Sequence, residues 1–225
     1  MAHKPLQKDN SMSYQHDVFI SYRRQELWTP WARDHFKRLL EAYLQSELGV
    51  PPDIFVDERI HVGADWVDEL GEHLARSKVL VAIFSGDYFG SDWCLHELDL
   101  MLGRSKAASQ NAQHVYLIIP VVVHDGEHIP PEAQRIQSTD MAKFRNPFLN
   151  KETQDYQDFA TAMGKLAPQI ARVIRSAPAF DNKWIDHHRK RFNEVYQASI
   201  QRKNLEPEQF TANRPAPPTV PPKLI

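Results

Sequence analysis

The side chains with the most chemistry to offer fall together in Ser91-Asp92-Trp93-Cys94-Leu95-His96-Glu97-Leu98. Ser91 is a good helix N-cap, and Cys94, Leu95, Leu98, Met101 and Leu102 recur behind it at helical spacing, so the stretch reads as an amphipathic helix. Trp93 and Glu97 are four apart and share a face, distinct from the one carrying Leu95 and Leu102. This is a carboxylate beside an aromatic plate, one turn into a helix that leaves the C-terminal end of a probable buried strand, where open α/β sheets place their ligands. Glu97 is therefore the expected chemical centre. Competing chemistries lack their partners. A His-Glu-x-x-His zinc motif opening at His96-Glu97 fails because position 100 is Leu100. Cys94 falls on the apolar face and reads as packing rather than as a nucleophile. His187-His188 has no further ligand at metal spacing and reads as solvated, so no metal site is expected. The chain carries no Gly-x-Gly-x-x-Gly loop, Walker A loop or Gly-x-Ser-x-Gly elbow.

That helix needs a scaffold. Asp17-Val18-Phe19-Ile20-Ser21-Tyr22 is β-branched and aromatic, which suits a buried strand, and Arg23 and Arg24 stand at its C-terminal end. Thr29-Pro30 offers an N-cap and a first-turn proline, and Gly49 follows the last apolar position. The spacing predicts a helix over 30–48 with the stripe Ala32, Phe36, Leu39, Leu40, Tyr43 and Leu44. Ile54-Phe55-Val56 is a second strand ending at Asp57, the polar stretch to Gly63 a loop, and Asp65 the cap of a helix carrying Val67, Leu70 and Leu74. Val79 to Phe84 is apolar enough to be buried on both faces. Val115 to Val123 is a fourth strand, with a short fifth near Met141 to Phe144, and Tyr156, Phe159, Met163, Leu166, Ile170 and Val173 mark a closing helix. Strands alternating with helices imply right-handed crossovers and a parallel sheet covered on both faces, whose ligands bind beyond the strands' C-terminal ends.

These elements define a domain over residues 14–175. Residues 1–13 are polar and read as disordered, 176–204 as a helical extension with Trp184, His188, Phe192, Val195 and Ser199 on one side, and 205–225 as a proline-rich tail. The formal charge of -2 gives no electrostatic case for nucleic acid. Arg189-Lys190-Arg191 reads as a solvated helix face. The single cysteine, Cys94, leaves no intramolecular disulfide and fits a reducing compartment. Val115 to Val123 is far too short to span a bilayer, and the N-terminus has no apolar leader, so a cytoplasmic protein with no membrane partner is expected.

The order of these motifs is specific. Asp17-Val18-Phe19-Ile20-Ser21-Tyr22-Arg23-Arg24 resembles the first box of Toll/interleukin-1 receptor (TIR) domains. Phe55-Val56-Asp57 with Gly63 and Trp66 is similar to the strand and BB loop of bacterial and plant-like members, and the likeness continues through Ser77 to Ser85 and the Ser-x-Trp-Cys-x-x-Glu segment at Ser91 to Glu97. The resemblance implies an α/β, flavodoxin-like three-layer sandwich with a central parallel five-stranded sheet in the order 2-1-3-4-5. It points to the bacterial NAD-hydrolase type, acting in defence signalling. NAD+ is then the substrate, cleaved at the nicotinamide–ribose bond to nicotinamide and ADP-ribose or a cyclic isomer, with no cofactor. Glu97 is the catalytic residue by this match. Ser21, Tyr22, Arg23, Arg24, Asp57 and Trp93 are candidate substrate contacts, with the guanidinium groups suited to the pyrophosphate.

Members of this family assemble through the BB loop, here Asp57, Glu58, Arg59, Ile60, His61, Val62 and Gly63, which implies a homo-oligomer or filament. The receptor-adaptor branch carries Arg-Asp-x-x-Pro-Gly in that loop, and this chain lacks the proline. That counts against the alternative, a non-catalytic TIR–TIR scaffold. The resemblance stops short of residues 178–225, where a regulatory protein is the expected partner.

Overall fold

A computed structural model describes residues 13–25, 28–57, 64–109, 116–124, 129, 133 and 137–205. The N-terminal segment expected to be disordered, the BB loop from Glu58 to Gly63 and the proline-rich tail fall almost wholly outside the described residues. Five parallel strands form one sheet in the order β2-β1-β3-β4-β5, the flavodoxin-like arrangement. The strands are β1 (His16–Tyr22), β2 (Ile54–Val56), β3 (Ser77–Phe84), β4 (Ile118–Val122) and β5 (Thr139–Asp140).

Alternation along the strands builds two cores, one on each face. Val18, Ile20, Tyr22, Val79, Val81 and Ile83 point to one side, beneath helix α1 (residues 28–48) and helix α4 (Gln154–Arg175). Phe19, Leu80, Ala82, Phe84, Ile118 and Val122 point to the other, beneath α2 (Ala64–Ala75) and α3 (Asp92–Ala108). Helix α5 (Lys183–Leu205) lies over α2 and α3 and sends Phe192 into this second core.

The sheet differs from the sequence reading at its C-terminal edge. Strand β4 pairs only from Ile118 to Val122. Pro120 sits inside it, and the register explains why. Leu117 O and Val123 N bond toward β3 while Val122 O bonds toward β5, so even-numbered residues face β5. Strand β5 reaches only the level of Val121 and Val122, so the N–H that Pro120 lacks has no strand waiting for it. β5 itself is Thr139–Asp140 and not 141–144: Asp140 Oδ1 accepts from Ala142 N at 2.9 Å and turns the chain into a 3₁₀ turn, Ala142–Phe144, which buries Met141 and Phe144.

Helix α1 also departs from expectation. It begins at Trp28, so Thr29 and Pro30 lie within its first turn, and it runs through a π-helical segment, Trp31–Lys37, before Arg38–Leu48. Trp31 and Phe36 are both fully buried, and their rings stack 5.4 Å apart. A π turn brings residues five apart nearer to one face than an α turn does, and Trp31 Nε1 is held by Phe144 O at 2.7 Å. The helix closes at Gly49 with φ 74°, a left-handed cap. Asp65 likewise lies inside α2, which starts at Ala64.

Candidate active site

The C-terminal end of β1, with Asp57 just past β2, meets the first turns of α3, the helix that follows β3, beyond the carboxyl ends of the parallel strands. Ser91 caps α3, its hydroxyl accepting from Cys94 N at 3.4 Å. One turn further on, Glu97 turns inward and is 7% exposed, while Leu95 and Leu102 are each 38% exposed. The buried apolar residues of α3 are therefore Cys94, Leu98, Leu100 and Met101, without the two leucines assigned to its stripe from spacing. The burial goes to the carboxylate instead.

Ser21 Oγ donates to Glu97 Oε2 at 2.5 Å and lies 2.8 Å from Tyr88 Oη, which itself reaches Cys94 O at 3.3 Å. Tyr88 comes from a 3₁₀ turn, Tyr88–Gly90, just ahead of the Ser91 cap, and is fully buried. With Glu97 ionised, Ser21 donates to it and Tyr88 donates to Ser21. With Glu97 protonated, the chain can reverse and end on Cys94 O. Both states are satisfied, so the site can hold or release a proton without an orphaned hydroxyl.

Burial pushes the Glu97 carboxyl up to about 8; the Ser21 hydrogen bond opposes this, the Asp57 charge adds to it and Arg24 opposes it. This favours the neutral acid at neutral pH. Burial, then the Glu97 charge, pushes the Cys94 thiol up to about 12, so it is an inert packing group, as its place on the helix suggests.

A cavity of about 60 Å³ is lined by Ser21, Arg23, Arg24, Asp57, Trp66, Trp93 and Glu97, among others. This brings together every site residue read from the sequence that the structure describes, with one qualification. The Tyr22 ring packs into the opposite core, beneath α1 and α4, because alternation along β1 sends it away from Ser21; only its edge of the strand borders the cavity, and its hydroxyl donates to Asp57 O at 3.4 Å. Asp57 is braced: Arg24 Nη1 lies 3.3 Å from Oδ2, and Trp66 Nε1 donates to Oδ1 at 3.4 Å. The Arg24 guanidinium also lies 5.2 Å over the Trp66 ring. Trp93 meets Trp66 edge to face at 5.1 Å. Spacing alone gave no reason to pick Tyr88 or Trp66; an aromatic hydroxyl just before the Ser91 cap was the available signal. At about 60 Å³ the cavity takes roughly two waters, whereas small-molecule pockets run to several hundred Å³.

The fold and this carboxylate-bearing pocket define a flavodoxin-like α/β domain with its site at the ends of the strands. The model of the TIR domain family matches residues 18–160, well over half of the chain, and the chain belongs to that family. It is 27% identical over 143 residues to the disease resistance-like protein DSC1 of Arabidopsis thaliana, covering 64% of this chain and 10% of that protein. It is 32% identical over 90 residues to the disease resistance protein RPP2B of Arabidopsis thaliana, covering 40% of this chain and 7% of that one. The chain thus spans a tenth or less of these curated relatives. Among solved structures, the TIR domain of the Toll-related receptor TRR-2 from Hydra magnipapillata is similar with a TM-score of 0.45 and 16% identity, covering 70% of this chain and 98% of that one. The curated relatives are plant proteins, so the bacterial placement expected from the sequence finds no backing in them.

Proposed function

We propose that this TIR domain is an NAD+ glycohydrolase or cyclase in which Glu97 is the catalytic residue. The observation that carries the proposal is a buried glutamate, held by Ser21 and walled by Trp93, at the strand ends of a TIR fold. A buried carboxyl shifted up to about 8, with no direct ion pair among the described residues, is costly for the fold and fits a functional role better than a structural one.

The chemistry follows from the charge of the leaving group. Nicotinamide in NAD+ is already a cationic ring, so its departure takes the glycosidic bonding pair and needs no acid. Positive charge moves to the ribose carbon as the bond stretches. Glu97, ionised by the arrival of that cation, faces it and accepts from the ribose hydroxyls, while Ser21 and Tyr88 steady the carboxylate. Trp93 excludes water from the reacting end. Arg23 and Arg24 suit the pyrophosphate, and Arg24 would exchange part of its pairing with Asp57 for it. Attack by water gives ADP-ribose and a proton; attack by a nucleophile of the substrate itself gives a cyclic isomer. The described cavity holds only part of a dinucleotide, so side chains must move, or a second protomer must complete the site. Assembly through the BB loop, in a cytoplasmic defence or signalling setting, is part of this reading.

Among the described residues no helix is long and apolar enough to cross a membrane. A second reading, a TIR–TIR interaction module without turnover, is favoured by the small volume of the cavity. Incubating the purified chain with NAD+ and separating the products by chromatography decides between them. Nicotinamide with ADP-ribose or a cyclic isomer is expected, and its absence at every protein concentration would favour the module.

A further inference from the structure

Helix α5 lies outside the segment that defines the family, which ends at residue 160. Its docking is nonetheless specific. A Cβ on Gly71 of α2 would stand 3.0 Å from Arg189 Cα and N and 3.2 Å from His188 C, all backbone atoms of α5. Only glycine lets the two helices come this close. Arg189 pairs with Glu72, and Asn193 Nδ2 donates to Asp68 Oδ1 at 2.5 Å, so the contact is fixed at two points about one turn apart on α2.

The docked helix delivers Phe192, fully buried, onto the rear of the site. Its ring stacks on Trp93 at 5.9 Å and 27°, and meets His96 edge-on at 5.2 Å and 82°. Trp93 is thus gripped between Phe192 behind and Trp66 beside it, with Arg24 over Trp66 and Asp57 paired to Arg24. A continuous run of contacts leads from α5, through the cavity wall, to the residue that opens the BB loop.

We propose that α5 is part of the site: Phe192 is a positioning residue that fixes Trp93 as the wall against which the nicotinamide end of NAD+ is held. The proposal rests on the NAD+ reading for its ligand, but the Phe192–Trp93 grip stands without it. Trp93 lines the cavity with Phe192 stacked on it; with Phe192 removed, its indole gains rotamer freedom and the wall loosens. Substrate binding suffers before chemistry does, because Glu97 is held by Ser21 and not by Trp93.

The test uses the full chain labelled with 5-fluorotryptophan, its Trp93 line assigned by Trp93→Phe, together with NAD+ kinetics. The variants are Phe192→Ala, Phe192→Leu, and Gly71→Val, which pushes α5 away without touching Phe192. In Phe192→Ala and Gly71→Val the Trp93 ¹⁹F line should shift and broaden, and KM for NAD+ should rise roughly threefold to tenfold with kcat changed less, the size of a lost aromatic contact. Phe192→Leu should restore much of both. Should Phe192→Ala fail to fold, Phe192→Leu and Gly71→Val carry the same comparison. An unchanged Trp93 line in Gly71→Val, or in Phe192→Ala where it folds, overturns the proposal, as does a fall in kcat with KM untouched. A wild-type chain that turns over no NAD+ defeats the catalytic reading, while the ¹⁹F shifts still decide whether Phe192 positions Trp93.

Discussion

Glu97 should cost the fold stability, by an amount that depends on pH in a defined direction. In the unfolded chain the carboxyl ionises near 4.5; in the folded protein it does so near 8. Between those values the folded state carries a proton that the unfolded state has released, so stability falls as pH rises, and the full cost is present above pH 8. At ~1.4 kcal/mol per unit the ceiling is ~5 kcal/mol above pH 8, ~3 kcal/mol at pH 7 and nothing below pH 4.5. Glu97→Gln removes the titration while keeping an oxygen to accept from Ser21. Its new amide N–H groups add a cost of ~1–3 kcal/mol if left unpaired, but that cost does not vary with pH. The decisive quantity is therefore the slope. Urea unfolding of wild type and Glu97→Gln at pH 5, 7 and 8.5 should show the variant gaining on wild type by several kcal/mol across the range. A difference that stays flat, or moves the other way, refutes the burial argument.

Other outcomes follow from the same geometry. Tyr88→Phe removes the hydroxyl that donates to Ser21 when Glu97 is ionised, so the acid limb of kcat/KM for NAD+ should move up by about half to one pH unit, ~1 kcal/mol; a uniform loss of rate with an unmoved limb would make Tyr88 merely structural. His188 is fully buried on α5 with both ring nitrogens unpartnered among the described residues, and burial, then the Arg104 charge, pushes it down to about 2. Its folded value lies below its unfolded one, so stability is lost as pH falls below about 6.5. His188→Leu should flatten that loss in thermal unfolding between pH 6.5 and 5, and an equally steep acid limb in the variant would count against it.

How far the sequence carries the account differs by element. The first three strands are legible because their apolar runs are short and bounded, and Gly49 and Ser91 mark helix ends by mechanisms that need no tertiary information. Glu97 is legible through its spacing from Trp93 and through the family resemblance. Its depth is not: an outward Leu95 and an inward Glu97 invert the usual preference, and the Ser21 hydroxyl, on strand β1, makes that tolerable. The π turn at Trp31 depends on Phe144, 113 residues away. The reach of α5 is hidden for a like reason. Its helical spacing predicts Phe192 on one side with His188, but only the Gly71 notch on α2 shows what that side covers, and His188, expected to be solvated, is buried by it.

The most direct test of the central claim is nicotinamide release from NAD+ by the wild-type chain and by Glu97→Gln, over a wide protein concentration range with a crowding agent. Release by wild type that rises more steeply than concentration, and a variant that is folded yet at least about 100-fold slower, is the predicted result. Equal release by the two proteins would contradict a catalytic Glu97.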